Sequence, residues 1–251
     1  PTGSEAVMLN RWVESRLPVA KIDRKQQIMH FEKESVFKLA ANDLYYLENK
    51  LEFLDTPGEW YLDREEYLLY YLPLATEAIA SAKITVPLLD TLIIFRDKVK
   101  KNLTVEHLEF NNLTFAHTDS HLPPTRSGYN QNAWGVSSAI VASGINDCRW
   151  RYCTWKHLGG YGIELFRRCQ HNHIVGCTFF DLGAGGIKLG EKKVYRPKVP
   201  PGQASHHNLI TRNHIYDGGK FFPSAIGIGV ASSHHNSISY NHVHNFYYTG
   251  I

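Results

Sequence analysis

The sequence predicts an all-β protein, a right-handed parallel β-helix (solenoid) preceded by a β-rich lead-in. Three observations carry this. A phrase of about two dozen residues recurs through the second half, its apolar runs are too short for helices, and Gly or Asn punctuates each run. "CRWRYCTWKHLGGYGIEL" from Cys148 lies over "NHIVGCTFFDLGAGGIKL" from Asn172 at an offset of 24 with no gap. Trp150 falls on Ile174, Cys153 on Cys177, Trp155 on Phe179, and Gly162-Ile163 on Gly186-Ile187. "NLITRNHIYDGG" from Asn208 follows at offset 36 and "NSISYNHVHNF" from Asn236 at a further 28. The wider intervals have visible causes: "EKKVYRPKVPPGQAS" is inserted after Gly190, and "KFFPS" lengthens the next turn.

In chain order, residues 1–98 read as a lead-in or cap and residues 99–251 as stacked coils. "MLNRWVESRLPV" reads as the end of an earlier β segment, with Trp12, Glu14 and Arg16 chiefly in packing and surface roles. "PGEWYLDREEYLLYYLP", near 57–73, alternates as a β-hairpin that turns between Asp63 and Tyr67. "TEAIASAK" is a connector to the strand "TLIIFRD", and "NLTVEHLEFNN" near Asn102 is a weaker first coil. "HTDSHLPPTRSGYNQNAWG", His117 to Gly135, is a long polar and aromatic excursion. Loops of that length are commonly functional, and Tyr129, Asn130, Gln131 and Trp134 have sugar-site chemistry: amides for hydroxyls, aromatic faces for C–H groups.

The balance of 27 Lys and Arg against 24 Asp and Glu, net +3, has no block of like charge, so neither nucleic acid nor an anionic membrane is the expected partner. No apolar run is long enough to span a bilayer. The chain opens without Met and stops in mid-pattern, which reads as a piece of something longer. Cys148, Cys153, Cys169 and Cys177 lack CxxC spacing, so no zinc knuckle is expected. Stacking at ~4.8 Å places Cys153 on Cys177, as small core residues or as a disulfide, and Asn172, Asn208 and Asn236 in one corner stack. The "HN" pairs at His171, His207 and His235 recur in register. That favours corner hydrogen bonding, and no metal or other cofactor is assigned.

One aligned column is wholly polar: Asn112, His157, Asp181, Asp217, Asn245. Carboxylates on adjacent coils would lie roughly 5–7 Å apart. Such a pair raises one pKa and leaves an acid beside a base, which glycosidic-bond cleavage requires. Asp before Gly at a strand end is also an ordinary turn, which is the better reading of either residue alone. The pair, flanked by His157, favours function. Glu164 and Lys188 occupy equivalent outward positions beyond the next corner. Glu191 opens the inserted loop, and His206 and His207 stand where it rejoins the coil. The glycines supply either positive φ or an open floor for a ligand.

"YYLENKLEFLDTPGEWYLDREEYLLYYLP", "HLGGYGIEL", "FFDLGAGGIKLGE" and "SHHNLITRNHIYDGG" together resemble bacterial right-handed β-helix carbohydrate enzymes, closest to glycoside hydrolase family 141. The resemblance covers nearly the whole chain. It implies a hydrolase acting on a plant or algal polysaccharide or oligosaccharide, of α-L-fucosidase or xylanase type, in an extracellular or periplasmic setting. By motif, the acidic pair and a neighbouring His map onto Asp181, Asp217 and His206 or His207, with His207 taken as catalytic. His157, His206, Glu164, Lys188, Glu191, Tyr129, Asn130, Gln131 and Trp134 are the expected substrate contacts. Two rivals stand beside this. A uronate lyase or epimerase would use Lys188 and the basic "KKVYRPK" loop, or Ca²⁺; a carbohydrate-binding solenoid would need the aromatic loop but not the acids.

Overall fold

A computed structural model describes residues 3–97, 103–191 and 202–251. The basic loop "KKVYRPK" lies outside the described residues. The chain divides into two compact units. One runs to Val86 and includes Pro123–Gly128; the other comprises Pro87–Leu122 and Tyr129–Ile251.

In the first unit, β1 (Glu5–Asn10) and β2 (Val13–Asp23) form an antiparallel pair about a tight turn at Arg11, whose φ is 56°. β3 (Ile28–Phe31) and β4 (Leu44–Glu48) extend it to a sheet of order β3-β2-β1-β4. Ala6, Met8, Leu17 and Val19 form its small core. Arg16 forms an ion-pair cluster with both Glu5 and Glu48. The expected hairpin is present: β5 (Trp60–Asp63) pairs antiparallel with β6 (Leu68–Tyr71). Asp63 Oδ1 caps the turn by accepting the Glu65 and Glu66 N–H groups, 2.9 and 3.0 Å away.

The second unit is a parallel β-helix of three five-stranded sheets. Ile93–Phe95, Ser138–Ser143, Tyr161–Arg167, Ile187–Leu189 and Ile228–Val230 make the first sheet. Ile93–Phe95, within the segment read from sequence as lead-in, is its edge strand. The second holds Glu109–Asn111, Arg149–Arg151, His173–Val175, Leu209–Thr211 and Ser237–Ser239. The third holds Thr114–Thr118, Thr154–Leu158, Thr178–Leu182, His214–Tyr216 and His242–His244. The offsets read from the sequence are the strand registers: Trp150 pairs with Ile174 and Ile174 with Ile210, while Trp155 pairs with Phe179. Alternation turns every second side chain inward, so like stacks on like. The Phe110 and Trp150 rings are 5.4 Å apart and 5° from parallel; Trp155 and Phe179 are 4.4 Å apart and 7° from parallel.

Single residues in the left-handed region bend each coil, and they fall in columns. His107, Asp147, His171, His207 and His235 precede the second sheet, with φ from 50° to 59°. Asn112, Tyr152, Gly176, Arg212 and Tyr240 stand between the second and third sheets. His117, His157, Asp181, Asp217 and Asn245 stand at the C-terminal ends of the third-sheet strands, the first three at the penultimate residue and the last two just beyond. Side chains that tolerate this conformation are few, with Asn, Asp and His enriched beside Gly. That explains the Asn, Asp and His of the first and third columns; Tyr152, Arg212 and Tyr240 in the middle column depart from it.

Inside the bends, amides tie coil to coil. Asn172 Nδ2 donates to Asn208 Oδ1 at 2.9 Å, and Asn208 Nδ2 to Asn236 Oδ1 at 3.0 Å. A second ladder joins Asn213 to Asn241 at 2.9 Å. Cys148 and Cys177 occupy the same columns one coil earlier. Cys148 N–H donates to Asn172 Oδ1 and Cys177 N–H to Asn213 Oδ1, while both thiols donate to backbone carbonyls. Cys153 precedes Cys177 in its column, but all four cysteines are free thiols, so the disulfide reading falls away.

Candidate functional site

The third-sheet corner brings Asp181 and Asp217 onto adjacent coils, Leu182 N–H donating to the Asp217 carbonyl at 3.1 Å. The column above and below differs from the sequence reading at one place. His117, not Asn112, continues it: its ring stacks on His157 at 5.2 Å, whereas Asn112 belongs to the preceding corner. The first coil is too divergent in sequence for the neighbouring polar corners to be told apart.

Asp181 is the electrostatic centre. His157 Nδ1 lies 2.5 Å from its Oδ2, and Lys220 Nζ donates to its Oδ1. Burial alone would raise its pKa, but the hydrogen bonds and charges of Lys220 and His157 outweigh that and hold it below the ordinary carboxylate value. The expectation that stacked acids would raise a pKa therefore does not apply to Asp181, because a cation reaches it first. Lys220 escaped the sequence reading: it arrives from the turn after Asp217, in "DGGK", and nothing in the pattern says which way it points. Asp217 Oδ1 accepts from Asn245 Nδ2 at 2.9 Å.

Gly183, beside Asp181, has another cause than either one expected. A Cβ on Gly183 would sit 2.1 Å from the Gly159 carbonyl oxygen, so the two coils touch backbone to backbone there. Only at Gly219, φ 79°, does this corner need glycine for its dihedral angle.

Two segments close over the outside of the coil beside this corner. Tyr129, Ala133 and Val136 pack with Tyr161, Ala184, Phe222 and Ala225 as a satellite core. Tyr129 is thus buried, against Phe222 at 5.9 Å. Asn130 is exposed, and Gln131 donates to Tyr248 Oη at 2.9 Å. The Trp134 ring covers Gly229. Lys188 points out of the coil as expected but is only 1% exposed, because residues 134–136 lie over it. Its ammonium donates to the carbonyls of Trp134 at 3.0 Å and Val136 at 2.8 Å and pairs with Glu164 at 3.0 Å. All three protons are engaged in holding the covering segment. Glu191, also buried, makes a bidentate pair with Arg167, both bonds 2.6 Å. Lys188, Glu164 and Glu191 thus meet protein partners rather than an open cleft.

His206 and His207 are not brought to the acids. His207 stands at the corner before the second sheet, and the strands Leu209–Thr211 and His214–Tyr216 separate it from Asp217. Their shared "SHHN" phrase follows from the corner rule, which places His there in successive coils. His206 Nδ1 and His207 Nδ1 lie 2.8 Å apart, the corner hydrogen bonding that the repeat suggested.

Residues 15–74 match the family profile of the GH141 insertion domain. A solved structure described as "Glycoside hydrolase" superposes with a TM-score of 0.79 at 20% sequence identity, covering 91% of this chain and 47% of its own. The chain thus spans about half the length of that structure. A comparison with curated protein sequences gave no match. Residues 15–74 therefore match the GH141 insertion domain, and the chain shares its β-helical fold with a solved glycoside hydrolase.

Proposed function

We propose that this protein is a glycoside hydrolase in which Asp181 and Asp217 form the working carboxylate pair. The observation that carries the reading is the in-register placement of the two acids on adjacent coils, one of them clasped by Lys220 and His157. Adjacent parallel strands stand ~4.8 Å apart, near the ~5–5.5 Å carboxyl separation of retaining enzymes. Asp181, kept ionised, faces the positive charge that develops on the sugar ring as the glycosidic bond breaks. Asp217 gives its proton to the departing oxygen, and a water completes the hydrolysis. A plant or algal glycan of fucoside or xylan type is the substrate class that the family resemblance suggests, with an extracellular or periplasmic location.

Lys220 also favours a second reading, since a cation beside an acid and an imidazole is what β-elimination from a uronate would use. One experiment separates the two. A glycan panel is incubated with the wild type, Asp181→Asn and Asp217→Asn, scoring new reducing ends and unsaturated products. Hydrolysis predicts saturated products and a loss of about 10²–10⁴-fold in each variant with the fold intact. Unsaturated products would move the assignment to a lyase. Equal glycan binding without cleavage by all three proteins would make the coil a binding module.

A further inference from the structure

Ten of the 14 histidines follow residue 150, and five of them meet along one edge of the coil, away from the acids. His171, His207 and His235 share a left-handed corner column, their rings stacked at 5.2 and 5.0 Å. His206 and His234, each one residue before its corner, stack at 5.0 Å. Within a coil the two columns meet nitrogen to nitrogen. His206 Nδ1 lies 2.8 Å from His207 Nδ1, and His234 Nδ1 lies 2.8 Å from His235 Nδ1. His171 contributes a third nitrogen, so that ligand atoms of His171, His206 and His207 all fall within 4.8 Å of one another.

Two imidazoles facing through Nδ1 can share one proton only, so one lone pair accepts while the other ring donates. A metal ion replaces that proton and takes both lone pairs. At a metal–nitrogen distance of ~2.0–2.1 Å, a 2.8 Å nitrogen separation subtends roughly 85–90°, a cis pair in a square or octahedral site. The parallel ladder between Ser205–His206 and Ser233–His234 fixes the backbone under the rings, so little ordering is left to the ion. Asp147, in the same corner column before His171, is engaged by His107 at 2.9 Å and Arg149 at 2.8 Å, so the donors at this edge are nitrogen, not oxygen. Such a set suits Ni²⁺, Cu²⁺ or Zn²⁺ and not Ca²⁺ or Mg²⁺.

We infer that His171, His206 and His207 form a binding site for a late transition-metal dication on the coil edge, separate from the carboxylate corner. It clips successive coils together beside the point where the chain returns at His206.

His214, His242 and His244 form another group with nitrogens within 4.8 Å, so the test begins from a His242→Gln/His244→Gln background that breaks it. Binding of Ni²⁺ and Zn²⁺ is measured by equilibrium dialysis with metal analysis and by competition with a chromophoric chelator, with Ca²⁺ as the hard-ion comparison. The background protein is expected to bind one equivalent of Ni²⁺ or Zn²⁺ and no Ca²⁺. His206→Gln and His207→Asn, the latter keeping a side chain suited to positive φ, each weaken binding at least ~10-fold with unchanged circular dichroism. If either fails to fold, His171→Asn is read in its place. No bound Ni²⁺ or Zn²⁺, binding of Ca²⁺ as tight as theirs, or affinities within ~10-fold in the folded variants would overturn the site.

Discussion

Asn208→Ala should be among the costliest polar truncations in this chain. The side chain is buried, 1% exposed, in the middle of its ladder. Its Oδ1 accepts from Asn172 N–H at 3.1 Å and from Asn172 Nδ2 at 2.9 Å. Its Nδ2 donates to Cys169 O at 2.9 Å and Asn236 Oδ1 at 3.0 Å. Truncation leaves the Cys169 carbonyl with its bond from His206 N–H, and Asn236 is near solvent. The Asn172 N–H, in a residue 0% exposed, loses its acceptor and gains no water, while Asn172 Nδ2 keeps the Ile145 carbonyl at 3.2 Å and loses one of its two bonds. At about 1–3 kcal/mol for the buried orphan and about 0.5–1.5 kcal/mol for the lost amide bond, the loss is about 1.5–4.5 kcal/mol. Asn236→Ala, at the part-exposed end of the ladder, should cost about 1 kcal/mol. Urea unfolding followed by the fluorescence of Trp150 and Trp155, both within the coil, reads the difference. Equal losses for the two variants, or less than about 1 kcal/mol for Asn208→Ala, would refute the view that the amide column holds the coils together.

Two further outcomes follow from the titrating groups. The folded-state pKa of Asp181 lies below its ordinary value, so its pairing with Lys220 and His157 stabilises the fold at pH above the unfolded carboxylate range. That contribution is lost as pH falls through the depressed folded value, so Asp181→Asn should flatten the acid limb of a urea-midpoint profile between about pH 5 and pH 2; a limb as steep as wild type contradicts the pairing. Burial pushes the thiols of Cys169 and Cys177 up to about 12, and all four cysteines are buried. A thiol-specific chromogenic disulfide should therefore react with the native protein only as fast as it opens, its rate rising through the urea transition with the tryptophan signal; rapid labelling in buffer at pH 7 would contradict the burial.

What was legible in the sequence is what the stack itself demands. Trp150 over Ile174 and Asn172 over Asn208 must recur because each coil sees only its neighbours, so the repeat carried the fold and the register. The acids were legible for the same reason, since a column is a property of the period. Asn112 was assigned to that column because two polar corners lie close together in a divergent first coil, while His117 was hidden in what read as a loop. Lys188 was rightly turned outward by alternation, but its cover comes from Trp134 and Val136, far away in sequence, and no periodicity encodes that contact. Lys220 belongs to a turn, where direction depends on dihedral angles rather than spacing. His207 entered the site by motif alone, and the corner arithmetic moves it to another edge.

The corner rule has a consequence for how such a chain acquires chemistry. A bend that favours Asn, Asp, His and Gly offers, at each coil of the third-sheet column, a choice among amide, acid, imidazole and nothing. These exchanges leave the backbone angle undisturbed, so reactive groups can be set or erased one coil at a time while the scaffold stays as it was. Along the column from His117 to Asn245 the chain already spells imidazole, imidazole, acid, acid, amide at φ between 52° and 62°. A reaction centre on this scaffold can lengthen, shorten or migrate along the axis by single substitutions, and lineages of coils are free to differ in activity while remaining superposable.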